Sequence, residues 1–416
     1  MESGPLTILD AGYGLFGTHV TLEDVNASIK EHVETVNELT LDSKMEVIGD
    51  GNGFSSKVIL ISCVWSLPSE ELPQKIVLKI VSFAHSKGAI KKSKTEDEKK
   101  MAEHYETAIL RIHNQEVNFY EVLKTGDSQR LLAPKVYFCQ RFSDSNRIKG
   151  FIGMEYVERT EVRHSFENCT SEEIQPILKA IAGVQALSLL VSNEELEKIK
   201  TGSLYKEIMV AMIVREGTKG ILGHLEGKYP GKFTERIGRL ESYESNILNY
   251  EKAFKLNKHL GIQHDVFVHG DLWSANILWA QGDNTIHFAC KILDYQLAHV
   301  GNPAEDLVRL LTTCLSGADR QEHWEQLLEQ FYEYFLGALG NNREEVPYTL
   351  SQLKESYRQF YPVGGMLLLN IFCPGADFKL QTMEETEAEG YRMILEEKIE
   401  CLLEDVEKFY CLFIEG

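Results

Sequence analysis

The chain has 416 residues, 43% hydrophobic, 25% charged and 10% aromatic, which is globular composition in a length sufficient for two lobes with separate cores. Disordered and fibrous classes are excluded. A formal net charge of −20 leaves no basic field to attract a phosphate backbone, so nucleic acid is not an expected partner. The opening residues MESGPLTILDAGYGLFGTHV lack the basic and apolar regions of a signal peptide, and the cysteines are scattered with no C-x-x-C pair. Together these predict a cytoplasmic protein with reduced thiols. The longest apolar stretch, Val363 to Cys373, is about half of what a membrane-spanning helix needs.

In chain order, residues 1 to about 40 hold one helix, opened by the capping-box pattern Thr21-Leu22-Glu23-Asp24. From Met45 the pattern turns to short β-rich runs, Met45 to Ile48, Ser56 to Trp65 and Ile76 to Ser82. A helix-period segment follows from Lys99 to Lys124, then strands near Lys135 to Phe142 and Gly150 to Val157. Beyond Val157 the patterns are helical, at about 171–199, 203–223, 231–260, 303–317, 319–339, 347–371 and 383–413, with Asn302-Pro303 read as a capping residue before a proline at the first helical position. One β-rich island, Val266 to Tyr295, interrupts them. Strands with one helix, then a long helical remainder, predict an α+β protein with a β-rich lobe at 1–157 (a helical extension at 1–44) and a mainly helical lobe at 158–416.

The island carries the densest chemistry, Val268-His269-Gly270-Asp271-Leu272-Trp273-Ser274-Ala275-Asn276. Asp271 and Asn276 stand at the D-x-x-x-x-N spacing of a kinase catalytic loop. Phosphoryl transfer needs a carboxylate to align a hydroxyl and receive its proton, and an oxygen ligand for magnesium that the Asn276 amide supplies without charge. The alternative is a polar loop closed by an Asx-turn. The strand Phe288 to Leu293 ends in Asp294, a carboxylate that a divalent cation would compensate, and a hairpin through 281–285 would return it toward Asn276.

The first lobe offers a glycine-rich turn, Gly49-Asp50-Gly51-Asn52-Gly53-Phe54-Ser55-Ser56, in which Gly51 and Gly53 let the backbone approach a triphosphate and Ser55 and Ser56 add donors. Hairpins use the same residues. Lys79 lies mid-strand in Ile76-Val77-Leu78-Lys79-Ile80-Val81. Glu116 falls on the apolar stripe Ile109, Ile112, Phe119, Leu123 of the following helix. A buried ammonium and a buried carboxylate each need a counter-charge, so Lys79 and Glu116 are expected to pair, fixing the lysine over the α- and β-phosphates.

In this order the motifs resemble those of the choline-kinase-like and aminoglycoside-phosphotransferase-like branch of the kinase superfamily, nearest the ecdysteroid-kinase-like proteins and their nematode members. The resemblance covers Glu46 to Leu311 and is densest over VFVHGDLWSANIL…KILDYQLAHVGNPAEDLVRLL. It implies a bilobal protein-kinase-like fold with ATP and Mg2+ as cofactors. Asp271 is then the catalytic base, Asn276 and Asp294 the magnesium ligands, Lys79 with Glu116 the phosphate contact, and Met154-Glu155-Tyr156 the hinge that pairs with adenine. His269 and Asp306 take structural roles.

Departures from the protein-kinase pattern bear on the substrate. Gly270 stands where H-R-D has arginine, Asp294-Tyr295-Gln296 replaces D-F-G, and the chain reaches Glu305 without room for a long activation segment. A protein substrate is therefore not expected, and the acceptor is predicted to be a small-molecule alcohol: a sterol, a lipophilic alcohol or a choline-like compound. Trp273, Tyr361, Met366 and Phe372 are candidates for its apolar pocket, with helix core as their alternative. The rival of another class is a catalytically inactive nucleotide-binding scaffold.

Overall fold

The computed structural model describes residues 6–49, 56–82, 96–243, 247–281 and 287–415. The chain divides into two compact units. One comprises Met1–Glu121, Pro134–Glu158 and Gly202–Leu204; the other comprises Val122–Ala133, Arg159–Thr201 and Tyr205–Gly416. The first is β-rich and the second mainly helical, an α+β division.

In the first unit, helix α1 (Leu22–Val33) starts at a complete capping box. Thr21 Oγ1 accepts from the Asp24 N–H, and the Asp24 carboxylate accepts from the Thr21 N–H at 2.8 Å. Strands β1 (Lys44–Val47), β2 (Ser56–Ser62), β3 (Lys75–Val81), β4 (Val136–Gln140) and β5 (Phe151–Glu155) form an antiparallel sheet in the order β1-β2-β3-β5-β4. Strand β3 is therefore central, which removes edge protection as a reason for Lys79. Ile76, Leu78 and Ile80 of β3 alternate with it and bury against Ile59, Ile61, Phe138, Phe151 and the Val25–Ile29 face of α1. Helix α2 (Glu96–Leu123) carries Glu116.

One buried group on α2 makes this unit acid-sensitive. His113 is 3% exposed, its Nε2 meets the Gln140 carbonyl at 2.8 Å, and Phe142 sits edge-on to its ring. Burial pushes its pKa from 6.5 down to about 4. The unfolded chain thus takes up a proton that the folded chain refuses. The stability this contributes is complete above about pH 6.5 and is lost as the pH falls toward about 4, amounting to about 2 kcal/mol already gone at pH 5. In urea titrations, His113→Gln is expected to lose less stability between pH 7 and pH 5 than the native chain. Equal losses in both would exonerate this histidine.

In the second unit, β6 (Thr160–Val162), β8 (Ile277–Gln281) and β9 (His287–Ile292) form one small sheet, and β7 (Val266–Val268) pairs with β10 (His299–Gly301) in another. Around them pack helices α3 (Gln175–Leu187), α4 (Asn193–Gly202), α5 (Tyr205–Lys228) and α6 (Thr234–Ser242), followed by α7 (Glu305–Cys314), α8 (Gly317–Leu339), α9 (Leu350–Asn370) and α10 (Glu385–Glu415). Asn302 caps the turn that leads into α7. Its Oδ1 accepts from the Ala304 N–H at 2.8 Å and its own N–H donates to Glu305 Oε1 at 2.8 Å, while its amide donates to Asn257 and Ser356 and the regular helix begins at Glu305. No described helix is long and apolar enough to cross a membrane.

Candidate active site

The sequence between β7 and β8 leaves its strand at His269 and must turn sharply to present Asp271. Gly270 makes that turn at φ +80°, where a Cβ would come within 2.4 Å of the Leu297 carbonyl oxygen. Only glycine fits without displacement, so the place of the arginine in H-R-D is sterically closed here. Asp306, at the start of α7, holds the turn from the other side by accepting from the His269 N–H at 2.7 Å and the Gly270 N–H at 3.1 Å. Burial pushes its carboxyl pKa up, against the stabilisation from His269 and these two N–H groups.

His269 is buried and its protonation is set by geometry. Its Nδ1 accepts from the Asp271 N–H at 3.2 Å, which leaves Nε2 to donate to the Leu293 carbonyl at 2.9 Å. Burial pushes its pKa down, so the ring works as a neutral strut. That strut has a consequence for Asp294. Ile277 pairs with Ile292 across the β8–β9 hairpin, and the Leu293 N–H donates to the Asn276 carbonyl at 2.8 Å. Leu293 is thus held on its N–H by Asn276 and on its carbonyl by His269. The next residue, Asp294, is fixed in the left-handed region at φ +67° and ψ +57°, with the Gln296 amide 3.4 Å from Oδ2. A non-glycine residue held there stores strain of the kind that collects at functional positions.

Asn276 closes the loop. Its Nδ2 donates to the Asp271 carbonyl at 2.8 Å and lies 3.4 Å from Oδ2 of that residue. With the amide nitrogen engaged, the side-chain oxygen is the atom left for a cation. The Asn276 side-chain oxygen and the Asp294 carboxylate are hard oxygen donors of the kind that would suit Mg2+, which takes few protein ligands and completes its shell with water and phosphate. Among the described residues, no cluster of three or more His, Cys, Asp or Glu is arranged for a metal.

In the first unit, Lys79 and Glu116 are paired as their placement requires. Lys79 Nζ lies 2.9 and 2.8 Å from the two carboxylate oxygens, with Glu116 2% and Lys79 14% exposed. Gly51, Gly53 and Ser55 lie outside the described residues; Ser56 opens β2 opposite Val81. Met154 and Glu155 end β5, and the Glu155 N–H donates to the Lys135 carbonyl at 2.9 Å. Tyr156 follows, its ring under Lys75 Nζ at 5.0 Å.

Two features were not legible in advance. Arg309 Nη1 donates to Asp271 Oδ1 at 3.0 Å from one turn into α7. Beside it opens a cleft lined by Tyr205, Met209, Gly270, Glu305, Asp306, Val308, Arg309, Phe360, Gly364 and Leu367. The expected acceptor residues do not line it. Tyr361 and Met366 are fully buried on the core side of α9, with the Tyr361 hydroxyl 3.3 Å from Thr312 Oγ1. Phe372 is buried in the turn after α9, and Trp273 is half-buried at the loop. The face of α9 that meets the cleft is the neighbouring one, Phe360, Gly364 and Leu367.

A further motif lies near the N-terminus. Gly12-x-Gly14-x-x-Gly17 has the spacing of a dinucleotide fingerprint, yet that motif works at a strand-to-helix turn of a parallel sheet. Here the Gly12 and Gly14 N–H groups donate to the Gly17 and Thr18 carbonyls at 2.8 and 2.7 Å. A Cβ at either glycine would lie 2.1 Å from a backbone oxygen. These glycines serve the close approach of their own chain.

The DUF1679 family, described as "Uncharacterized oxidoreductase dhs-27", matches residues 8–412. Among curated proteins, the chain is 23% identical over 321 residues to Uncharacterized oxidoreductase dhs-27 of Caenorhabditis elegans, covering 74% of this chain and 37% of that protein. It is 24% identical over 249 residues to Uncharacterized kinase-like protein D1044.1 of the same nematode, covering 59% and 62%. The chain thus spans less than two thirds of either relative. Among solved structures, a putative aminoglycoside phosphotransferase from Ralstonia eutropha aligns at TM-score 0.44 and 14% identity over 93% of this chain and 98% of that one. A Plasmodium vivax ethanolamine kinase aligns at TM-score 0.42 and 12% identity over 85% and 81%.

Proposed function

We propose that this chain, which belongs to the DUF1679 family, is an ATP- and Mg2+-dependent kinase that transfers the γ-phosphoryl group to the hydroxyl of a small-molecule alcohol. The observation that carries the reading is the double hold of Asn276. Its side chain binds the Asp271 carbonyl while its backbone carbonyl binds the Leu293 N–H beside Asp294, so base and metal-ligand candidates share one scaffold.

In this reading, Asn276 Oδ1 and the Asp294 carboxylate would hold Mg2+, which when bound would offset charge on the phosphate oxygens. The Lys79 ammonium, kept in place by Glu116, is the phosphate contact of the first unit. The Asp271 carboxylate orients the acceptor hydroxyl and receives its proton, with Arg309 and Asn276 limiting its rotation.

The test is thermal shift with ATP, with and without Mg2+, followed by acceptor-dependent ADP release. Mg-ATP is expected to stabilise the chain more than ATP alone, and Asp294→Ala is expected to abolish that increment while retaining the fold. Stabilisation with no ADP release on any alcohol would favour the non-catalytic nucleotide scaffold. An increment that survives in Asp294→Ala would remove Asp294 from the metal site.

A further inference from the structure

The polar side chains of the cleft beside Asp271 differ in what they still have to give a ligand. Asp306 spends its oxygens on the His269 and Gly270 N–H groups. Glu305 Oε1 accepts from the Asn302 N–H at 2.8 Å, and Oε2 meets His299 Nε2 at 3.3 Å, under the stacked Tyr205 ring. Burial opposes a charge on His299, but Glu305 outweighs it and raises the ring's pKa, so both oxygens of this carboxylate are already engaged. Arg309 is the opposite case. Its side chain is 17% exposed and lines the cleft. Only Nη1 has a side-chain partner among the described residues, which leaves donors on Nε and Nη2. The remaining wall, Met209, Val308, Phe360 and Leu367, is apolar.

A ligand entering this cleft meets apolar surface, one cation with unspent donors and two carboxylates already satisfied. An ammonium group would face Arg309, and the one further carboxylate at hand, Asp271, is already paired with that guanidinium. An oxygen acceptor would complete the guanidinium fork. We infer that the cleft takes a neutral or anionic alcohol with an apolar body and an oxygen acceptor next to the reacting hydroxyl, and that Arg309 is its specificity residue, discriminating against ammonium-bearing acceptors. The inference rests on the kinase reading for the identity of the reacting hydroxyl.

A matched set of eight-carbon alcohols tests it: 2-hydroxyoctanoate, 1,2-octanediol and 2-amino-1-octanol. Each is added to the full chain with Mg-ATP, with thermal shift and ADP release as readouts. The hydroxy acid and the diol are expected to stabilise the protein and release ADP, and the amino alcohol to do neither. Arg309→Gln is expected to raise KM for the hydroxy acid about ten- to hundredfold, the loss of one charge-assisted contact, while Mg-ATP stabilisation is kept. Arg309→Lys should recover part of that loss. Preference for the amino alcohol, equal use of all three, or binding of none to a chain that Mg-ATP does stabilise overturns the assignment of the cleft. Failure of Mg-ATP itself to stabilise the chain is a separate result, which would overturn the kinase reading along with its acceptor.

Discussion

Asp271→Asn is expected to lower turnover by roughly 10²–10⁴-fold while leaving Mg-ATP binding and the thermal midpoint close to those of the native chain. The substitution keeps the shape of the side chain. An asparagine oxygen can still accept from Arg309 Nη1 and the backbone carbonyl still holds the Asn276 amide, so the loop keeps its main bonds and loses only the 3.4 Å contact of Asn276 Nδ2 with Oδ2. What disappears is the negative charge that aligns a hydroxyl and takes its proton. Since Asn276 and Asp294 are untouched, nucleotide affinity should hold, and the loss should fall on kcat with little change in KM for ATP. Measuring kcat alongside the Mg-ATP thermal shift separates the cases. A fall in both would make Asp271 a nucleotide-binding or structural residue, and unchanged kcat would remove it from the chemistry.

Much of this arrangement was legible because it follows from local rules. Period-two and period-3.6 patterns place Lys79 on a strand and Glu116 on a helix stripe, and the cost of burying either charge alone leaves pairing as the solution. The return of Asp294 toward Asn276 follows from a hairpin, and Ile277 does pair with Ile292. What stayed hidden depends on how one element turns over another. In Glu305-Asp306-Leu307-Val308-Arg309, an arginine within a turn of two acids reads as an ordinary solvated helix face. Its contact with Asp271 arises because Asp306 draws the start of α7 onto the His269–Gly270 turn. Helix α9 defeats the pattern in another way. It is apolar on most of its circumference, so periodicity cannot tell which side meets a cleft and which meets Phe409 and Trp324. Asn302 shows both sides: its capping bond to the Ala304 N–H is local, while its amide bonds to distant Asn257 and Ser356 leave no signal in the sequence.

Gly270→Ala should do what Asp271→Asn does not, by damaging stability and turnover together. The φ of +80° costs an alanine about 1–2 kcal/mol from local sterics alone. The added Cβ would lie 2.4 Å from the Leu297 carbonyl oxygen and 3.1 Å from His299 Nδ1. The first neighbour is backbone, and neither is the end of a flexible chain, so the turn must move. Moving it pulls the His269 and Gly270 N–H groups away from Asp306, leaving a buried carboxylate whose charge those bonds compensate. A total of about 3–5 kcal/mol is expected, visible as a lowered urea midpoint. Because the same turn sets the direction of Asp271, turnover should drop even at temperatures where the variant remains folded. If Gly270→Ala were as stable as the native chain, the loop would be adaptable. The absence of an arginine before Asp271 would then need an explanation other than the space beneath it.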